Sequence, residues 1–119
     1  MKIDRSPRAA GPVVTGFVGA GFKIDGEGSA GSVLLAPEWW RAWDGELSET
    51  GLEPLIALTP EFILIGTGAR LIRPSRELTA SFEARGIGVE PMDSRAAARA
   101  WGVLRAEDRW VGAALMSLT

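Results

Sequence analysis

The chain has no cysteine, no histidine and no tyrosine. The first absence excludes disulfides, thiolate metal sites and a thiol nucleophile together. The second removes the commonest general base and the commonest metal ligand. No apolar run approaches the roughly 20 residues needed to cross a bilayer. Lys2, Arg5 and Arg8 are followed by no apolar stretch of the signal-peptide kind, so cytoplasmic residence is the expectation. A dominant charge is missing too. Thirteen Lys and Arg stand against fifteen Asp and Glu, a net charge of −2. With no basic patch interleaved with aromatics, a nucleic-acid-binding role is not expected.

What is present fits one globular domain. The chain has 119 residues, 46% hydrophobic and 24% charged, within the range of folded domains and long enough for a core. Residues 1–12 read as a flexible N-terminal arm and residues 13–119 as a single α/β domain. Val13 to Val18 is rich in β-formers, Gly19-Ala20-Gly21 supplies a turn, and Phe22 to Asp25 alternates apolar with charged, so a hairpin is predicted. Gly26 to Gly31 reads as a glycine-rich loop, Ser32 to Ala36 as a short strand ended by Pro37, and Trp39 to Trp43 as a strand or a turn of helix. Ser48 to Leu58 is predicted helical with Leu52, Leu55 and Ile56 inward, Pro54 being acceptable only in the first turn.

The second half alternates strand and helix. Phe62 to Ile65 is continuously apolar, as in a strand covered on both faces. Pro74 to Arg85 is a helix ended by Gly86, and Ile87 to Glu90 a strand. Asp93 or Ser94 caps a helix reaching about Ala106, and Trp110 to Leu118 forms the last strand. The first crossover should be right-handed, making its two strands parallel.

Three features invite a functional reading. Gly66-Thr67-Gly68 follows the carboxyl end of a central strand, where open α/β sheets place ligands. Its N–H groups could approach an anion, with Arg70 and Arg73 to neutralise a carboxylate or phosphate. The alternative is that the glycines only take angles closed to other residues. The loop is neither a dinucleotide fingerprint nor a P-loop, since no third glycine opens a helix and no Gly-Lys-Ser/Thr comes after it. Trp39, Trp40 and Trp43 cannot all face inward from one strand, so at least one is expected to be exposed or at an interface, where Trp is enriched. Trp101 and Trp110 read as core, each needing a partner for its indole N–H. Arg95 and Arg99, one helical turn apart with Gly102 on the same face, read as a solvated stripe, contact with an acidic partner being the alternative. Gly28-Ser29-Ala30-Gly31 fails as a nucleophile elbow, since Glu27 stands where a glycine is required and no histidine can act as base. No catalytic residue, cofactor or metal ligand is assigned.

Taken in order, several stretches resemble one family: Gly16 to Gly26, Gly31 to Leu35, Ile65-Gly66-Thr67-Gly68, Gly86 to Ser94 and Arg109 to Leu115. It is the family of the mitochondrial assembly factor 3 of respiratory complex I and of small bacterial and archaeal proteins of unknown function. The resemblance spans about residues 13–116. It implies a three-layer α/β domain, a central mixed sheet with helices on one face and an N-terminal β-hairpin or meander on the other. It also implies a non-enzymatic protein-interaction or assembly-factor-like module with an unidentified protein partner; the alternative is a small-anion or metabolite-binding domain using the glycine loop. Many members have Thr-Tyr-Asn where Ala100-Trp101-Gly102 stand here, so a site built on that tyrosine or asparagine is not expected in this chain.

Overall fold

Phe62–Gly66 (β6) is apolar along its whole length and sits where that demands, at the inside of a sheet with cover on both faces. The computed structural model describes residues 11–119. The expected arm therefore lies outside the described residues except for Gly11 and Pro12, and Pro12 is buried, its carbonyl accepting a hydrogen bond from the Trp101 indole at 2.8 Å.

Two sheets are formed. Val14–Val18 (β1), Gly21–Ile24 (β2) and Gly28–Ala30 (β3) make an antiparallel meander in the order β1-β2-β3. Ser32–Leu35 (β4), Trp40–Trp43 (β5), β6, Gly88–Met92 (β7) and Gly112–Leu115 (β8) make a mixed sheet in the order β5-β4-β8-β6-β7. β6 lies parallel to both β7 and β8, while β4 runs antiparallel to β5 and β8. Pro91 fits in β7 because that strand is an edge.

The helices are Glu53–Ile56 (α1), Arg76–Ala84 (α2) and Ser94–Ala106 (α3). On one face of the large sheet, Leu34, Ile63, Ile65 and Ala114 pack with Leu52, Leu55 and Ile56 around α1 and with Leu78 and Phe82 of α2. On the other, Val33, Leu35, Leu64, Ala113 and Leu115 pack with Phe22 and Ile24 of the meander and with Ala97, Ala98 and Trp101 of α3. The three expected layers are present, but the helices do not all lie on one face as expected: α1 and α2 cover one, and α3 stands on the meander's face beside β1. Topology gives the reason. From β6 the chain steps to β7 on one side, then returns past β6 to β8 on the other. Right-handed crossovers in opposite directions need helices on opposite faces.

Three local expectations are corrected and one open alternative is resolved. The predicted glycine loop 26–31 contains β3: Asp25 and Gly26 both have positive φ, 54° and 75°, and Glu27 N–H reaches the Ile24 carbonyl at 3.0 Å, the primed turn that Asp-Gly favours in hairpins. The predicted helix over 48–58 shrinks to Glu53–Ile56, because Pro54 must lie in its first turn and Thr59 leaves helical space at φ 44°. Trp39 to Trp43 resolves to a strand beginning at Trp40. The last strand is confined to Gly112–Leu115, and Trp110 before it is 43% exposed, its indole N–H donating to the Leu58 carbonyl at 2.8 Å. Trp101, in contrast, is fully buried as expected.

Candidate functional site

The Gly66-Thr67-Gly68 loop leaves the carboxyl end of β6 where the chain first departs to one side and later returns to the other, the position of the ligand crevice in doubly wound sheets. Here the crevice is filled by the protein. The Thr67 N–H donates to the Met92 carbonyl at 2.9 Å, and the Gly68 N–H to Ser94 Oγ at 2.8 Å. Ser94 returns its own N–H to the Gly68 carbonyl at 2.8 Å and its hydroxyl to the Met116 carbonyl at 2.7 Å. Met116 N–H in turn donates to the Gly66 carbonyl at 2.8 Å. The first turn of α3 and the chain beyond β8 are thereby sealed onto the loop.

Both glycines have steric reasons to be there. A Cβ on Gly66 would stand 2.8 Å from Ser94 Oγ, 2.9 Å from Ser94 Cα and 3.0 Å from Leu115 Cδ2. Gly68 has φ +99°, which a side chain would strain. Nor is the N-terminus of α3 open to a ligand. Asp93 caps it, its carboxylate accepting from Ala96 N–H at 2.9 Å and its carbonyl from Ala97 N–H at 2.9 Å.

Thr67, only 6% exposed, organises the segment from Gly68 to Arg73. Its hydroxyl lies 2.7 Å from the Arg70 carbonyl, to which it donates, and accepts from Ile72 N–H at 2.8 Å. A tip is thus held away from the body, with Leu71 45% and Ile72 60% exposed between the exposed Arg70 and Arg73. Arg73 lines a groove of about 480 Å³ with Arg76, Thr79 and Val89, and Arg70 is not among its lining residues.

All three clustered tryptophans are half-buried. Trp40 packs against the α3-side core, Trp39 and Trp43 against the opposite one. The edge strand β5 can do this because both sheet faces are covered. Trp40 also needs Gly28, since a Cβ there would collide with its ring. Arg41 stacks over Trp39 with its guanidinium carbon 4.3 Å from the ring centroid. The buried Nε1 of Trp43 makes no hydrogen bond among the described residues.

Residues 14–116 match the family described as Protein of unknown function (DUF498/DUF598). The chain belongs to this family. An uncharacterised protein of Rhodobacter capsulatus is 34% identical over 120 residues, covering 96% of this chain and 92% of its own. The zebrafish NADH dehydrogenase [ubiquinone] 1 alpha subcomplex assembly factor 3 is 31% identical over 122 residues, 98% of this chain and 70% of that protein. The crystal structure of a Bordetella parapertussis protein superposes with a TM-score of 0.81 at 31% identity, covering 93% of this chain and 99% of its own. The sequence resemblance to this family therefore holds over the segments that carried it.

Two features of this DUF498/DUF598 member went unread in the sequence. Arg105, one helical turn beyond Trp101 near the end of α3, is 2% exposed. Its Nη1 donates to the Arg109 carbonyl at 2.6 Å, its guanidinium lies 5.4 Å from the Trp101 ring centroid, and Asp108 lies 3.7 Å from Nη2. Burial pulls its pKa below the ordinary value, with Asp108 pulling back. The second is a groove between β1 and α3, lined in part by Arg95, Arg99 and Gly102; the arginine stripe expected from the helical spacing is one wall of it. Among the described residues, no three acidic side chains converge as metal ligands would, and no helix is long and apolar enough to cross a membrane.

Proposed function

We propose that the protein is a non-enzymatic interaction module, assembly-factor-like in its role, that contacts its partner through the tip beyond the glycine loop. The carrying observation is that Thr67 and Ser94 consume the loop's polar groups while Leu71 and Ile72 stay exposed between two arginines. A loop pinned from within keeps its outward face in one shape, which lowers the ordering cost of association. Two apolar side chains flanked by cations suit a protein surface better than a small polar substrate. Kinship with a protein named as an assembly factor supports the same reading. Trp39, Trp40 and Trp43, half-buried at and just before the edge strand β5, form a second proposed contact. The reading takes the protein as cytoplasmic and assigns it no cofactor.

Affinity purification from the native cell tests the proposal. The wild type should recover a defined partner that Leu71→Ser/Ile72→Ser loses while melting like the wild type. No partner under several growth conditions, or undiminished recovery by the variant, contradicts it.

A second reading, a small anion held by Gly66, Thr67, Gly68, Arg70 and Arg73, draws on the groove that Arg73 and Arg76 line. Because the Thr67 and Gly68 N–H groups are engaged already, the arginine side chains would have to carry the ligand. A thermal-shift screen of phosphates, nucleotides and organic acids on wild type, Arg70→Ala and Arg73→Ala decides it. A ligand that raises the wild-type midpoint but not those of the variants favours an anion site.

A further inference from the structure

β1 is an outer strand of the meander, and a groove of about 300 Å³ separates it from α3. Gly16 and Phe17 line the strand side; Arg95, Ala98, Arg99 and Gly102 line the helix side. The spacing of four and three places Arg95, Arg99 and Gly102 on one helical face. Small residues at 98 and 102 keep the helix surface low, and nothing lies within 4 Å of where a Cβ on Gly102 would stand. Arg95 is held at the rim, its guanidinium carbon 5.1 Å from the Phe17 ring centroid. Phe17 nevertheless remains 44% exposed, and Val18 beside it 51%.

The charge of this groove is of one sign. α3 carries no acidic residue and β1 no charge at all. Arg95 and Arg99 form no ion pair among the described residues, whereas Arg85, Arg105 and Arg109 each do. Lacking an ion pair is a state they share with Arg41, Arg70, Arg73 and Arg76 among the described residues; what sets Arg95 and Arg99 apart is that they stand beside an exposed aromatic ring and the outer edge of a strand.

We propose that this groove binds an extended acidic segment of a partner protein, with two of its carboxylates on Arg95 and Arg99 and an apolar side chain on Phe17. The inference rests on the interaction-module reading and names the chemistry of the partner. Arginine pairs carboxylates bidentately, which favours a carboxylate-bearing chain over a diffuse anion. The outer edge of β1 offers main-chain groups to an extended chain. The ladder irregularity between Val14 and Gly16 limits how far such pairing can run, so the arginines carry most of the affinity.

The test is fluorescence anisotropy on the full chain with a labelled short peptide alternating Glu and Val, and with its Gln-for-Glu counterpart. Binding of the acidic peptide should weaken about tenfold or more with Arg95→Gln/Arg99→Gln, and similarly with the Gln peptide, and should fall with added salt. Arg70→Gln/Arg73→Gln should bind as the wild type does, and both double variants should keep the wild-type melting temperature. Equal binding by Arg95→Gln/Arg99→Gln, equal binding of the Gln peptide, loss confined to Arg70→Gln/Arg73→Gln, or tighter binding of a single-stranded oligonucleotide would each overturn the inference. Its failure is separable from that of the broader reading. A native partner retained by Arg95→Gln/Arg99→Gln removes the groove alone, whereas an empty wild-type purification removes the protein partner altogether.

Discussion

The loop after β6 and the groove beside β1 both set glycines next to arginines, yet they use their polar groups in opposite ways. At the loop, the hydroxyls of Thr67 and Ser94 and the N–H groups of Thr67 and Gly68 are all bonded within the chain. Arg70 and Arg73 beyond the loop, like Arg95 and Arg99 at the groove, have no ionic partner among the described residues, but at the groove the main chain is not closed over them: Gly102 leaves open space and β1 presents an outer edge. The first is the place a doubly wound topology assigns to a ligand, and the protein has closed it with its own α3 and C-terminal segment. Position in a fold nominates a site, but open space and unspent hydrogen-bonding capacity are what leave one able to bind.

The contrast can be broken most sharply at Ser94. Ser94→Ala orphans the Gly68 N–H and the Met116 carbonyl together, and unpaired buried groups cost roughly 1–3 kcal/mol each, so denaturant unfolding should show a loss of about 2–6 kcal/mol. Gly66→Ala comes next. Its Cβ meets the Ser94 backbone, which cannot swing aside as a flexible side chain would, and overpacking of this kind costs about 1–3 kcal/mol. Matching substitutions in the groove should be nearly silent: Arg95→Gln/Arg99→Gln should stay within about 0.5 kcal/mol of wild type, as exposed positions do. If the groove variant unfolds as readily as Ser94→Ala, its arginines are structural and the contrast is lost.

The smallest effect expected is in acid. The Glu49 carboxyl is held below its ordinary value of 4.5 by hydrogen bonds from Ser81 and from Arg85, the latter at 2.9 Å. That of Glu61 is held low by the Arg109 guanidinium, also at 2.9 Å. Below about pH 4.5 the unfolded chain therefore binds more protons at these groups than the native one does. Their contribution is present above that pH and fades as pH falls through the lowered native values. Both carboxylates are exposed, so Glu49→Gln should flatten the acid limb of the stability profile only slightly. An unchanged limb would mean that the pairs are screened out.

Much of this fold was legible because local rules and tertiary demands agree. The apolar run Phe62 to Ile65, the Asp93 cap and Gly86 at φ +80° stand where pattern and capping chemistry place them. β3 was hidden by composition: Gly28-Ser29-Ala30 has no β-forming side chain and is held by the turn at Asp25-Gly26 and by the packing of Trp40 on Gly28. Trp110 misled because an indole that hydrogen-bonds a carbonyl can sit at the surface. The closure of the glycine loop depends on Ser94, 26 residues beyond Gly68, and on the still more distant Met116, and no local pattern encodes such contacts. The groove was half legible: spacing gave its arginine wall, but only the meander's return beside α3 supplies Phe17 opposite.

The most direct test is an amide chemical-shift map of the wild-type protein titrated with the acidic Glu/Val peptide and, separately, with inorganic phosphate. The peptide should move resonances of Gly16, Phe17, Arg95, Arg99 and Gly102, and neither titrant should move Gly66, Thr67 or Gly68 beyond the general salt effect. Shifts centred on Thr67 and Gly68, with the β1–α3 groove unmoved, would contradict the assignment of one region to the fold and the other to a partner.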